Sequence, residues 1–155
     1  MSTWSGTVIW WQVYPLGFLG AEKHALPNGS PVEHRLPGLL SWLDYLVELG
    51  CNGVALNPVF ASESHGYDIV DHFTIDSRLG DDADIDQLIA ACHARGIRVL
   101  FDGVFNHVGR AFPGFVDVLA NREQSDWAGW FDIDWAAEGH DGRSDGERSV
   151  RCRMQ

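Results

Sequence analysis

Apolar and polar positions along this chain fall into blocks whose period switches between that of a strand and that of a helix. The run Thr7 to Tyr14 (TVIWWQVY) is β-branched and aromatic and is stopped by Pro15, which predicts a strand. Leu16 to Pro37 is broken by Gly17, Gly20, Pro27, Gly29 and Pro31 and reads as loop. Leu39, Leu40, Leu43, Leu46 and Val47 then recur at helical spacing, with Gly50 placed to end the helix. Gly53 to Leu56 is a short apolar strand closed by Asn57-Pro58, and Val59 to Gly80 is a long polar-aromatic loop. Asp81 and Asp82 suit a helix N-terminus, where carboxylates cap free N–H groups and meet the positive end of the dipole. Ile85, Leu88, Ile89 and Cys92 make the stripe of that helix, Gly96 ends it, and Ile97 to Asp102 is a third strand.

The order is β-α-β-α-β, and the junctions ELGCNGVALNP (Glu48 to Pro58) and ARGIRVLFDGV (Ala94 to Val104) share one plan. Repeated units of this kind predict a parallel sheet covered on both faces. A doubly wound sheet and part of a (β/α)8 barrel both fit. No Gly-rich phosphate turn follows the first strand, which removes the main support for a dinucleotide fold. Three strands do not close a barrel, which takes about 250 residues. After the third strand, Val108 to Ala137 is loop-rich, with Trp127, Trp130, Phe131 and Trp135 set among Asp126, Asp132 and Asp134. A small subdomain over the strand ends and a surface loop with its own aromatic plug are equally compatible with it.

Composition narrows the class. The 155 residues are 45% hydrophobic and 21% charged, enough for one ordinary domain with a core. A net charge of −11 argues against nucleic acid and anionic membrane as partners and fits a neutral substrate. Cys51, Cys92 and Cys152 match no zinc or redox spacing, and the first two are expected to be buried small hydrophobes. The N-terminus lacks the basic start and apolar block of a signal peptide, so a cytoplasmic location is expected. The tail RSDGERSVRCRMQ (Arg143 to Gln155) carries four of the ten arginines, lacks any period and is expected to be disordered, a short basic arm being the alternative.

Candidate chemistry concentrates in Asp102-Gly103-Val104-Phe105-Asn106-His107, at the end of the third strand. A carboxylate, an amide and an imidazole presented within six residues suit a polar site, although Asp and Asn also shape ordinary turns.

This DGVFNH segment resembles the first short motif of the α-amylase superfamily of glycoside hydrolases. HGYDIVDHFTIDSRLG (His65 to Gly80) resembles the loop after the second strand in that family, WWQVYPLGF (Trp10 to Phe18) its first strand, and LNPVFAS (Leu56 to Ser62) its second strand end. Four elements in order are far more specific than any one, and the likeness covers roughly residues 8 to 142.

The resemblance implies an α/β fold that is the N-terminal portion of a (β/α)8 TIM barrel, about three strands, with the start of an inserted subdomain after the third. Residues 1–107 would belong to the barrel, 108–142 to the subdomain, and 143–155 to a disordered tail that reads as out of frame, since the likeness stops at Arg143. It implies that Tyr67 stacks on a sugar ring, and that His107 and His65 hydrogen-bond its hydroxyls; an exposed loop histidine is the equal alternative at His65. Asp102 would orient an arginine in a supporting role, with Asn106 and Asp68 bracing the site. No cofactor is required; calcium is the ion that Asn106 helps hold in calcium-binding members. The implied partner is an α-linked glucan or maltooligosaccharide, cleaved or transferred with retention. The resemblance places the catalytic carboxylates on later strands, and no Gly-x-Arg-x-Asp segment follows Asp102, so none is expected in this chain. A non-catalytic carbohydrate-binding piece and an inert product are the alternatives.

Overall fold

The computed structural model describes residues 4–133, 135 and 151–152. Three strands, β1 (Trp10–Val13), β2 (Gly53–Leu56) and β3 (Arg98–Phe101), form a parallel sheet in chain order. Trp10 lies opposite Gly53 and Gly53 opposite Arg98; at the other end Val13, Leu56 and Phe101 are level. Strand β2 has the predicted bounds, whereas β1 and β3 are shorter than their apolar runs predict. Thr7 is drawn into a 3-10 turn (Trp4–Thr7), and the Asn52 side chain takes up the Ile9 N–H and the Thr7 carbonyl that would otherwise extend the ladder.

The connections follow the predicted order with local changes. Pro15 does end β1, but it does so by starting a one-turn helix, α1 (Pro15–Phe18), inside the predicted loop. The helix expected over Leu39 to Val47 is divided: Leu36–Trp42 is 3-10, and α2 covers Leu43–Glu48. The buried leucines 36 and 39, then 43 and 46, are spaced by three, which a 3-10 turn satisfies as well as an α-turn. Val47, counted in the stripe, is 46% exposed. Gly50 ends the segment at φ 79°, as its position suggests.

Helix α3 (Asp82–Ala94) begins as predicted. The Asp81 carboxylate accepts from the backbone N–H groups of Ala83 and Asp84, and the Asp84 carboxylate accepts in return from Asp81. Ile85, Leu88 and Cys92 are buried and Ile89 packs partly against them. Asp81→Ala is expected to destabilise the chain by about 1 kcal/mol. Urea unfolding at unchanged slope checks this, and an unmoved midpoint would refute the cap's contribution.

Strand alternation divides the sheet into two unlike faces. Val13, Val54 and Leu56 point to the side of α2 and α3 and form the core with Leu39, Leu43, Leu46, Leu88 and Ile97, while Trp11, Val99 and Phe101 pack partly against it. Gln12, Tyr14, Ala55, Asn57, Leu100 and Asp102 occupy the opposite face, where Leu100 is 48% exposed. The expected cover on both faces is thus present on one among the described residues. Cys92 is fully buried, which pushes its thiol up to about 11, whereas Cys51 is only half-buried, short of the full burial expected.

After β3, the segment read as loop-rich holds a helix, α4 (Pro113–Asn121), and two 3-10 turns at Arg122–Gln124 and Ala128–Trp130. Pro113 at the first turn and the i, i+3 pair Phe115 and Val118 carry that helix. With Phe131 they make a second small core, edged by Phe112, Trp127 and Ile133. Strand β4 (Phe131–Asp132) pairs antiparallel with β5 (Arg151–Cys152). Apart from β5, the tail expected to be disordered lies outside the described residues. No helix among the described residues is long and apolar enough to cross a membrane.

Candidate functional site

The C-terminal ends of β2 and β3 place Asn57 and Asp102 level with each other on the face away from the helices. The loop after β2 returns between them and delivers Tyr67. Its hydroxyl donates to Asp102 Oδ2 at 3.0 Å and accepts from Asn57 Nδ2 at 2.6 Å. Asn57 Oδ1 in turn accepts from Gln12 Nε2 of β1 at 2.9 Å. All three strands therefore contribute one polar side chain to a single network closed by Tyr67. Partial burial and the hydrogen bond to Asp102 push the Tyr67 phenol up, against the pull of Asn57.

The loop that carries Tyr67 is held from below. Isolated antiparallel bridges join Phe60 to Ile75 and Ser62 to Ile69. Under them Arg78, fully buried, grips Asp76 with Nε at 2.8 Å and a terminal nitrogen at 2.6 Å. The same guanidinium reaches Ser62 Oγ and the carbonyls of Glu22 and Ser64. Tyr14 of the β1 end donates to the His65 carbonyl at 3.1 Å. The segment 62–67 is thus tied to the body of the domain on two sides.

His65 lies beside Tyr67, with ring centroids 6.2 Å apart. Its Nδ1 accepts the Tyr67 backbone N–H at 3.2 Å, so the neutral ring carries its proton on Nε2, a donor for a ligand hydroxyl. The ring is exposed on the loop after β2. Asp68 accepts from Ser64 Oγ with one oxygen, while its other oxygen is buried without a hydrogen bond. Burial pushes the Asp68 carboxyl up, but bonds from the Ser64 side chain and the backbone outweigh this and hold it below the usual range.

The loop after β3 packs against the loop after β2. Gly109 donates its N–H to the Ile69 carbonyl at 2.8 Å, and His72 Nε2 lies 2.9 Å from the Val104 carbonyl. Asn106 and His107 are exposed on this loop, and neither side chain hydrogen-bonds another described residue. The sequence-derived set is therefore joined in part: Tyr67 and Asp102 bond directly, His65 and Asp68 adjoin Tyr67, and Asn106 and His107 make no hydrogen bond to these four.

Calcium takes six to eight oxygen ligands. Asn106 offers one, with no other side chain bonded to it. The group of His, Asp and Glu side chains whose ligand atoms converge among the described residues is instead His34, Asp81 and Asp84, already joined by the cap of α3 and a 2.6 Å contact.

Gln12, Asn57, Tyr14 and Gly109 were not anticipated as site residues. Gln12 is the one polar residue of β1 and Asn57 the polar end of β2, so position in the strands was the available signal.

Three parallel strands in chain order, with helices packed on one face and a polar network at the strand ends on the other, have the arrangement of a (β/α)8 barrel. The chain belongs to the α-amylase family: the model of the alpha amylase catalytic domain matches residues 12–149. It is 41% identical over 143 residues to a cyclomaltodextrinase of Bacillus sp, covering 84% of this chain and 26% of that protein. It is 38% identical to an intracellular maltogenic amylase of Bacillus subtilis, covering 84% of this chain and 24% of that one. Among solved structures, cyclic alpha-maltosyl-(1-->6)-maltose hydrolase from Arthrobacter globiformis in complex with maltose superimposes with a TM-score of 0.73 at 30% identity, over 96% of this chain and 38% of that chain. The three-stranded sheet is accordingly the N-terminal portion of a (β/α)8 barrel. The chain spans about a quarter of the length of the curated relatives it matches.

Proposed function

We propose that this chain supplies the sugar-positioning edge of an α-glucan-active, retaining glycoside hydrolase, and that the carboxylates which break the bond lie outside it. The observation that carries this reading is the Tyr67 hydroxyl, held between Asn57 and Asp102 at the strand ends. An aromatic ring fixed at its polar tip is suited to a pyranose, which is neutral, has an apolar face and is ringed with hydroxyls. His65 Nε2 and the exposed His107 would serve those hydroxyls, and Asp102, already committed to Tyr67, would orient a cationic group rather than attack carbon. A retaining glycosidase uses two carboxyls about 5–5.5 Å apart, one of them an acid held up in pKa. The described carboxyls with displaced values, Asp44, Asp68 and Asp71, are all held down. The relatives' names point to maltooligosaccharides as the ligand class.

The test is isothermal titration of the 155-residue chain with maltotriose, together with a reducing-sugar assay. Weak binding, abolished by Tyr67→Ala, and no hydrolysis are expected. Release of reducing ends by the purified chain would sink the claim that catalysis resides elsewhere, and absence of binding would sink the sugar site.

A further inference from the structure

We propose that Gln12 and Asn57 are positioning residues in one proton-ordered relay, in which the acceptor at Asp102 and the donor at Gln12 together fix where the Tyr67 hydroxyl sends its proton and hold the ring and Asp102 as one unit. This deepens the sugar-site reading above and rests on it for the role of Tyr67.

The direction of every bond in the network follows from its acceptor end. Asp102 as a carboxylate can only accept, so Tyr67 donates to it across 3.0 Å. A phenol has one proton. At the 2.6 Å contact with Asn57 its oxygen must therefore accept, and Asn57 must present its NH2. That turns Asn57 Oδ1 towards Gln12, which meets it with Nε2 at 2.9 Å. Rotating the Asn57 amide by half a turn would set two donors face to face at Gln12 and two acceptors face to face at Tyr67. Gln12 lies on β1, two residues short of the level of Asn57, and touches neither Tyr67 nor Asp102 in this network. It acts on them only through the orientation of one amide. Burial does most to raise the Tyr67 phenol; the bond to Asp102 adds to this and the donor Asn57 opposes it, as the same polarity requires.

Gln12→Glu replaces the donor by an acceptor of the same shape. At neutral pH, Asn57 must then turn its NH2 to the introduced carboxylate and its oxygen to Tyr67, and two acceptors compete for one phenolic proton. Lowering the pH protonates the introduced carboxylate, restores a donor and restores the original order. The readout is the Cζ resonance of Tyr67 in the full chain labelled with 13C-tyrosine, assigned by its absence in Tyr67→Phe and followed from about pH 4 to 8, a range that spans carboxylate titration. Gln12→Glu is expected to add a titration step absent from the wild type and from Gln12→Met. Cutting the relay in Gln12→Glu/Asn57→Ala is expected to remove that step. No added step, or a step that survives without Asn57, overturns the proposal, since in the second case charge alone would carry it. In parallel, maltotriose affinity at neutral pH is expected to fall about tenfold in Gln12→Glu and to recover with the resonance. If the wild-type chain fails to bind maltotriose, the sugar-site reading falls, while the Tyr67 resonance still decides whether Gln12 sets its proton.

Discussion

Arg78→Ala is expected to lower the free energy of unfolding by about 3–5 kcal/mol, the cost of leaving one member of a buried ion pair behind. Arg78 is fully buried and Asp76 is 3% exposed, so neither charge has water as a substitute partner. The guanidinium satisfies both Asp76 oxygens, Ser62 Oγ and two backbone carbonyls at once. Alanine strands the two carbonyls and leaves the buried Asp76 charge with only the Ser62 hydroxyl and the backbone N–H groups of Ser62 and Arg78. The stranded carbonyls belong to Glu22 and Ser64, so the loss also loosens the segment leading to His65 and Tyr67 from the loop after α1, where the Ala25 N–H to Glu63 carbonyl bond remains. Arg78→Lys keeps the charge but not the fork, and is expected to fall between wild type and alanine. Urea unfolding measures all three chains. A loss below about 1 kcal/mol for alanine would mean that the site loop does not depend on this ion pair.

Gly109→Ala is expected to separate the two site loops. A Cβ on Gly109 would stand 2.6 Å from the Asp68 carbonyl oxygen and would also run into the Glu63 carboxylate. The Glu63 side chain can swing away, but the carbonyl cannot move without breaking the neighbouring bond from the Gly109 N–H to Ile69. Overpacking of this kind costs about 1–3 kcal/mol. The displaced atoms adjoin Asp68, one residue from Tyr67, so the bond between Tyr67 and Asp102 should lengthen with them. Lowered stability in urea together with loss of maltotriose binding is the expected outcome. Gly129→Ala is the control, since a Cβ there meets nothing within 4 Å and should change neither quantity. Wild-type stability and affinity in Gly109→Ala would show that the loops do not rely on this approach.

Periodicity made the frame legible. The three apolar strands, helix α3 with its Asp81 cap and the order of elements all follow from runs strong enough to outweigh local ambiguity. The split between 3-10 and α over Leu36 to Glu48 was hidden because both conformations bury residues spaced by three. Helix α4 was hidden because its buried Phe115 and Val118 are interleaved with exposed Val116 and Leu119, which blurs the helical period. Within the site, resemblance singled out Tyr67 and Asp102. It could not single out Gln12 and Asn57, whose contact joins positions 45 residues apart and exists only once β1 and β2 are in register. Arg78 was missed for a different reason: a charged residue in a polar loop reads as surface, and its burial is compensated by partners from distant positions.

The level alignment of Val13, Leu56 and Phe101 has a consequence for folding fidelity. Side chains alternate along a strand, so a slip of β3 by one residue would keep a fully hydrogen-bonded ladder yet turn Asp102 to the helix side and Phe101 to the open side. Such a molecule would be a well-formed sheet that cannot read its ligand. What guards against it is the core: the slip would drive a carboxylate into the packing of Val54, Leu56 and Ile97. The apolar face thereby proofreads the polar one, and errors in assembling the site are rejected as errors in packing.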